Sequence, residues 1–393
     1  EVMLGIHPGF GGTVRAVRLA GVATAMDLML TGKNLRPDKA LQAGLVDEVV
    51  PAGQLRDAAK MLALRPRKRR KAPLSQRVLN LPIVRGLVAG KIESQVRRRA
   101  RKEHYPAPYA IVDLWRRHGA SPRTGYEAEA QSVARLVCTS TSRNLVRVFF
   151  LQERLKGLGG KEPPTGGHVH VVGAGVMGGD IAAWCALRGF TVTLQDRSTE
   201  FVQPALDRAR VFFEKRSRVP GRAAEQLARL QADVAGHGVE RADVVIEAIY
   251  ENAEAKRELY ARLEPRLKSG ALLATNTSSL MLEPLSEQLA VPGRLVGLHF
   301  FNPVAQMPLV EVVESAATEP QARAAALAFT RAIDKLPLPC RSAPGFLVNR
   351  VLMPYMTEAM LAAGAGVPLA TIDEFAVEFG MPIIKVASAD NND

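Results

Sequence analysis

Three glycines open the chemistry of this sequence. Gly173, Gly175 and Gly178 stand in GxGxxG order between a short apolar run, His168 to Val172, and an apolar helical stretch from about Val176 to Arg188 that Gly189 stops. The first glycine permits a tight turn, the second lets a pyrophosphate approach the backbone, and the third lets the helix pack on a sheet. Unpaired N–H groups and the dipole at the helix start favour a phosphate there. A second apolar run, Thr191 to Gln195, ends in Asp196. That acid lies about 20 residues past the glycines, where a carboxylate accepts hydrogen bonds from an adenine ribose and repels a 2′-phosphate. Strand, turn, helix, strand and acid in this order predict a dinucleotide site that favours NAD over NADP, a preference weakened by the adjacent Arg197. The bland alternative, a glycine turn that binds nothing, leaves an acid closing an apolar strand unexplained.

A second constellation lies downstream. His299 is flanked by apolar residues near the end of the run Leu295 to Phe301, and Glu311 follows the short segment Pro303 to Val310. Oxidising a secondary alcohol with NAD needs a base for the hydroxyl proton while hydride leaves carbon, and histidine suits this near neutral pH. A carboxylate touching the far imidazole nitrogen would fix the tautomer and stabilise the imidazolium. Spacing alone leaves the commoner arrangement open, a core histidine bonded to backbone.

These residues need elements to hold them. Asp243 to Ile249, Ala271 to Thr275, Leu295 to Phe301 and a short stretch near Pro337 to Cys340 read as strands. Phe201 to Ala235 reads as a charged helical stretch, and Glu251 to Lys268 and Pro320 to Asp334 as helices. Alternation of this kind predicts a doubly wound α/β sheet, whose ligands sit beyond the carboxyl ends of the strands. Glu251, Asn276, Ser278, His299 and Asn302 fall at or just after strand ends, which places them on one rim beside the cofactor.

The chain has 393 residues, 47% of them hydrophobic and 23% charged, enough for two or three domains and a sizeable core. Cys138, Cys185 and Cys340 are widely separated, with neither metal spacing nor a disulfide framework, which suits a reducing cytoplasm. The net charge of +13 is concentrated in Arg65 to Lys71 and Arg97 to Lys102. Neither run has the interleaved aromatics of a nucleic-acid reader, so both are read as solvated surface, or as steering for anionic substrates or a membrane surface.

The front of the chain, Glu1 to about Ala63, resembles the crotonase (enoyl-CoA hydratase/isomerase) family through its Glu-x-x-Leu-Gly start, the Pro8-Gly9-Phe10-Gly11-Gly12 turn, Thr31-Gly32, and Ala40…Gly44-Leu45-Val46-Asp47. The resemblance implies that Glu1 is one of two catalytic carboxylates that add water across an enoyl thioester. Its partner belongs to text upstream of Glu1 in that family, so a hydratase remnant is expected, and a frayed charged terminus is the other reading of Glu1. Between Leu64 and Gly167, prolines at 66, 73, 82, 106 and 108 punctuate the first half and predict that no long helix crosses them. Glu127 to Leu158 carries apolar positions at helical spacing, and the glycines between 157 and 167 mark a domain boundary.

From Val169 to about Leu361 the text resembles the L-3-hydroxyacyl-CoA dehydrogenase family, through GAGVMG, IEAIYEN, ATNTSSL, GLHFFNP, LVEVV and APGFLVNR in that order. With its front segment, the whole chain is similar to the hydratase–dehydrogenase large subunits of fatty acid oxidation complexes. The resemblance implies His299 as general base with Glu311 as its partner. It implies that Ser278 and Asn349 hold the substrate hydroxyl and thioester region, and that Asn302 sits by the nicotinamide. Glu251, Lys256, Asn276 and Ser278 would line the nicotinamide-ribose end, and Met177 and Asp196 would flank the adenosine. Lys256 also has a bland reading as a solvated charge on its helix, and Ser278 and Asn276 as turn residues or caps.

The expected fold is therefore α/β: a Rossmann-like doubly wound sheet domain (168–342), preceded by a partial crotonase segment (1–63) and a basic, helical connecting region (64–167), and followed by a truncated all-helical domain (343–393). In that last segment the family's GMPxGP gives way to GMPIIKVASADNND. An open helical end would leave Leu352, Met353 and Leu361 exposed. The implied function is NAD-dependent oxidation of L-3-hydroxyacyl-CoA thioesters in fatty acid β-oxidation, with no metal, an acyl-CoA substrate, a thiolase subunit as partner and an oligomeric state. Membrane contact is expected to be peripheral at most, and no nucleic acid is expected. The rival is a non-catalytic scaffold that binds NAD or acyl-CoA.

Overall fold

The computed structural model describes residues 1–65, 72–160, 166–217 and 219–381. Of the basic run Arg65 to Lys71 only Arg65 falls among them, and the text after Met381 lies outside. The chain forms two compact units, Glu1–Leu151 and Gln152–Asp393, divided within the helix Ser140–Leu158. Among the described residues, no helix is long and apolar enough to cross a membrane.

The first unit is helical, and its core runs past residue 63. Val17, Val22, Ala25, Met26 and Met29, from the helices Gly12–Ala20 and Val22–Thr31, bury against Ile111, Val112 and Trp115 of Pro106–His118. The buried carboxylate of Glu129, on the helix Pro122–Val137, accepts the amides of Gly11 and Thr13 and so caps Gly12–Ala20. Much of the supposed connecting region therefore completes the core of the front segment. The prolines do more than interrupt helices. Pro82 and Pro106 are the first residues of helices of 16 and 13 residues, a position where the missing N–H is not needed. Arg97, Arg98 and Arg99, at the end of Pro82–Arg97, are exposed.

The second unit is built on eight strands: β1 (His168–Val172), β2 (Thr191–Gln195), β3 (Leu230–Ala232), β4 (Val244–Glu247), β5 (Leu272–Thr275), β6 (Leu295–Phe300), β7 (Leu309–Glu314) and β8 (Leu336–Arg341). Their order is 3-2-1-4-5-6-7-8. The first six run parallel, β7 pairs antiparallel to β6, and β8 pairs parallel to β7. Both faces are covered, as a parallel sheet requires. Val244, Ile246, Ala274, Leu298 and Val312 point into one core, and Val245, Leu273, Leu295 and Val313 into the other.

Two strands depart from the sequence expectation. The charged stretch read from Phe201 to Ala235 splits into the helices Thr199–Arg216 and Arg222–Ala228 and then β3, where Leu230 is buried beside Val192. Three residues carry too little alternation to be recognised as a strand. Glu311 does not follow a connecting segment; it sits inside β7. Beyond the sheet, the helices Val348–Gly364 and Leu369–Phe379 leave Leu352, Met353 and Leu361 exposed.

Candidate active site

The strand order reverses at β1, between β2 and β4, and the glycine turn lies at that switch point. Gly173 has φ 105°, and a Cβ there would stand 2.4 Å from the Ala248 carbonyl after β4. A Cβ on Gly178 would stand 1.8 Å from the Gly173 carbonyl. Both glycines are thus demanded by backbone packed on backbone. At Gly175 a Cβ would meet nothing within 4 Å, so this position faces open space. The helix Val176–Leu187 starts here, its first bond running from the Gly179 amide to the Gly175 carbonyl, so the preceding amides have no helical partner. Asp196, after β2, leans back over the turn and accepts the amides of Ala174 and Arg197, each at 2.7 Å. Open space at Gly175, free amides and an anchored carboxylate fit a dinucleotide's pyrophosphate and adenosine ribose. Met177 is half-buried and packs on the core under the turn.

Along the rim, the ends of β4 and β5 carry a buried polar network. Glu247, 0% exposed, accepts Lys256 Nζ, Tyr260 Oη and Thr275 Oγ1, each at 2.7 Å. Lys256 is 1% exposed, which removes its reading as a solvated charge, and its ammonium also reaches Glu251 at 3.3 Å. Lys256 therefore lies beneath the rim, bonded to Glu247 and reaching Glu251. Burial pushes the Glu251 carboxyl up, but bonds from Thr277, Lys256 and the Ser278 amide outweigh that and hold it below the usual carboxylate range. The Glu251 carboxylate gathers the 277–279 turn, accepting the amides of Ser278 at 2.9 Å and Ser279 at 3.2 Å. Asn276 accepts the amide of Phe300 at 2.9 Å, tying β5 to the residue beside His299.

His299 and Glu311 are direct cross-strand partners in the β6–β7 pair. Opposed residues project to the same face with their Cβ atoms about 5 Å apart. The imidazole Nδ1 lies 2.6 Å from Glu311 Oε2. The other carboxylate oxygen, Oε1, accepts the amides of Leu347 and Val348 at 2.9 and 2.7 Å, at the start of the helix Val348–Gly364. Burial raises the Glu311 carboxyl, but the bond from His299 and the two amides prevail and hold it below its ordinary value. An ionised carboxylate keeps the proton on Nδ1 and leaves Nε2 as an acceptor, to which no hydrogen bond runs among the described residues. Phe301 and Phe346 flank the ring at 4.5 and 5.6 Å between centroids.

The remaining candidates fall around this pair. Asn349 donates from Nδ2 to the Ser278 carbonyl at 3.2 Å, joining the helix start to the Glu251 turn. Asn302 is exposed in the connection after β6. Glu1 lies in the other unit, exposed, and its side chain makes no cap bond. Sequence reasoning missed Glu247, Tyr260, Thr275 and Thr277. Glu247, an acid inside the apolar stretch that follows Asp243 in DVVIEAI, offered a signal; the other three offered none. Among the described residues, no group of three or more His, Cys, Asp or Glu side chains could hold a metal ion.

A dinucleotide turn and, on the same sheet edge, an imidazole backed by a carboxylate define an NAD-dependent oxidoreductase. Comparison with known proteins narrows the class. Residues 168–343 match the 3-hydroxyacyl-CoA dehydrogenase NAD binding domain, residues 345–390 the 3-hydroxyacyl-CoA dehydrogenase C-terminal domain, and residues 1–89 the enoyl-CoA hydratase/isomerase family. Among solved structures, (S)-3-hydroxybutyryl-CoA dehydrogenase PaaH1 from Ralstonia eutropha is 32% identical with TM-score 0.54, the match covering 57% of this chain and 81% of that one. FadB2 from M. tuberculosis is 30% identical with TM-score 0.53, over 55% of this chain and 78% of that one. The 3-hydroxybutyryl-CoA dehydrogenase of Escherichia coli K12 is 35% identical with TM-score 0.53, over 56% of this chain but only 48% of that one. The chain belongs to the 3-hydroxyacyl-CoA dehydrogenase family, and the cofactor of its sheet domain is NAD.

Proposed function

We propose that this protein oxidises L-3-hydroxyacyl-CoA thioesters to 3-oxoacyl-CoA in fatty acid β-oxidation, with His299 as the base and Glu311 as its partner. The observation that carries the reading is the His299–Glu311 pair at 2.6 Å with Nε2 left as an acceptor. Bound NAD supplies the hydride acceptor. The substrate hydroxyl proton passes to Nε2, and the imidazolium that forms is stabilised by Glu311. Glu311 is itself held anionic by two helix amides, so the field is in place before substrate arrives. Asn349 and Ser278, joined by one hydrogen bond, are assigned to the hydroxyl and thioester region, and Asn302 to the nicotinamide side. Glu251, Asn276 and Ser278, with Lys256 acting through Glu251, take the nicotinamide-ribose end. Gly173, Gly175, Gly178, Met177 and Asp196 take the pyrophosphate and adenosine.

The match of residues 1–89 to the enoyl-CoA hydratase/isomerase family supports a hydratase half in which Glu1 is one of the paired carboxylates. By the same reading the protein works in the cytoplasm, as an oligomer, with a thiolase subunit that consumes the 3-oxo product, and with peripheral membrane contact at most. The test is NADH oxidation by acetoacetyl-CoA, followed at the nicotinamide absorbance. His299→Gln should lower kcat by about three orders of magnitude while NADH still binds. Near-normal turnover in that variant would remove His299 from the mechanism, and NADH binding without turnover in the native chain would favour a scaffold.

A further inference from the structure

Lys335 is the buried cation that the chemistry above does not use. It is 2% exposed, between Asp334 and the first residue of β8. Its Nζ donates to the carbonyl of Val304 and, at 2.6 Å, to that of Met307, and it stands 4.0 Å above the centre of the Trp184 ring. Trp184 is itself fastened by a bond from its Nε1 to the Ile333 carbonyl at 2.8 Å. Val304 and Met307 belong to the connection between β6 and β7, the segment that carries Asn302 and joins His299 to Glu311. That connection closes on the Pro303 carbonyl, which accepts the amides of Gln306 at 2.9 Å and Met307 at 3.1 Å. The Leu336 amide, next in the chain to Lys335, bonds the Pro308 carbonyl at 2.7 Å. Three carbonyls of one short loop are thus held from beneath by two consecutive residues.

We propose that Lys335 is a positioning residue for the proposed dehydrogenation: its ammonium clamps the β6–β7 connection against Trp184 and so sets where Asn302 and the His299–Glu311 pair stand. Two carbonyl oxygens aimed at one point repel each other unless a donor lies between them, and an ammonium satisfies both while its charge rests on an indole face. The inference depends on the reaction proposed above.

The clamp is titratable. Burial first, then the nearby Arg188 and Arg216 guanidinium groups, press the Lys335 ammonium down to about 8, against the opposing pull of Asp334 and the Cys185 thiol. Asp334 is paired with Arg188 at 2.8 Å, and both guanidinium groups also lie over Trp184. Below about pH 8 the charged clamp is closed; above it a neutral amine remains, a weaker donor without the attraction to the ring.

The chain holds two tryptophans, so Trp115→Phe leaves Trp184 as the sole indole reporter. In that background the emission of Trp184 should titrate with a midpoint near 8, and Lys335→Met should abolish the titration. Lys335→Met should lower kcat at pH 7 by about tenfold or more, with the NADH Kd and the acetoacetyl-CoA KM within about twofold, a split that general unfolding does not produce. Lys335→Arg, charged throughout, should restore kcat at pH 7 to within about threefold and remove the part of any alkaline fall that follows the Trp184 titration. A folded Lys335→Met with native kcat overturns the proposal. So does a native kcat that stays level while Trp184 titrates, which needs no variant at Lys335. Should the native chain turn over no acetoacetyl-CoA, the reaction assignment fails separately. The clamp is then read from hydrogen exchange at the Gln306 and Met307 amides, where acceleration in Lys335→Met supports it and no change refutes it.

Discussion

Two buried carboxylates on one face of the same sheet are put to different uses. Glu247 closes β4 and Glu311 lies within β7, and neither side chain is exposed. Around Glu247 the bonds run inward. Lys256 and the Ile249 amide meet Oε1, Tyr260 and Thr275 meet Oε2, and the three side-chain donors are themselves buried. Burial first, and then the Glu247 charge, push the Tyr260 hydroxyl well above its ordinary value, so it stays protonated and donating. Such a ring can hold β4, β5 and the helix Ala253–Leu263 together, and its outward contact, Lys256 to Glu251 at 3.3 Å, ends on a second carboxylate that is itself filled by donors. Around Glu311 the two helix amides take one oxygen and His299 the other, and the line of bonds ends on an imidazole with a lone pair to spare. Depth and residue type are the same in both places. What separates a strut from the proposed base is whether the last group in the network is closed or open.

That contrast can be broken at either acid. Glu247→Gln leaves a buried ammonium with only the Glu251 contact at 3.3 Å. Removing one partner of a buried pair costs about 3–5 kcal/mol, so urea unfolding should show a loss of that size. Turnover per folded molecule should fall by less than about tenfold, since the His299 pair is untouched. If stability held and turnover collapsed, the two roles would have been assigned the wrong way round.

Glu311→Gln should act in the opposite sense, lowering kcat by roughly a hundredfold, or about 2.7 kcal/mol of barrier, through loss of tautomer control. It also tests the sign of a pH effect. The Glu311 carboxyl titrates below its ordinary value of 4.5 in the folded chain. Its contribution to stability is therefore fully present above 4.5 and is lost as the pH falls through the lower folded value. The stability gap between the native chain and the variant should close on acidification below 4.5. A gap that widened there would contradict an ionised Glu311.

The smallest effect sharpens the cofactor end. Gly175→Ala adds a methyl group where nothing lies within 4 Å, so melting should barely move while NADH binds about tenfold more weakly. Gly173→Ala, forced into the Ala248 carbonyl at φ 105°, should instead lower stability before binding can be measured. Equal behaviour of the two variants would mean that no phosphate approaches Gly175.

The glycine turn was legible because each of its demands is local: a tight turn, a close helix, and an acid one strand later. His299 was legible as a histidine at a strand end, but its partner stood open, since spacing in sequence does not say how a connection folds. The Glu247 ring escaped because its donors come from a neighbouring strand and a helix nine to 28 residues away. The helical core of the first unit escaped for a related reason. Prolines read as interruptions were helix starts, and the apolar face of Pro106–His118 showed its purpose only once Val17, Val22 and Met26 lay against it.

By itself the sequence determined the strand–turn–helix that seats a dinucleotide, the alternation that makes a doubly wound sheet, and which side chains stand at strand ends. These follow from neighbours within a few residues, where sterics and hydrogen bonding leave little choice. Only the tertiary structure decided that His299 faces Glu311. The reversal of β7 against β6 sets a register in which the two residues oppose each other, and a slip of one residue would turn the carboxylate to the other face of the sheet.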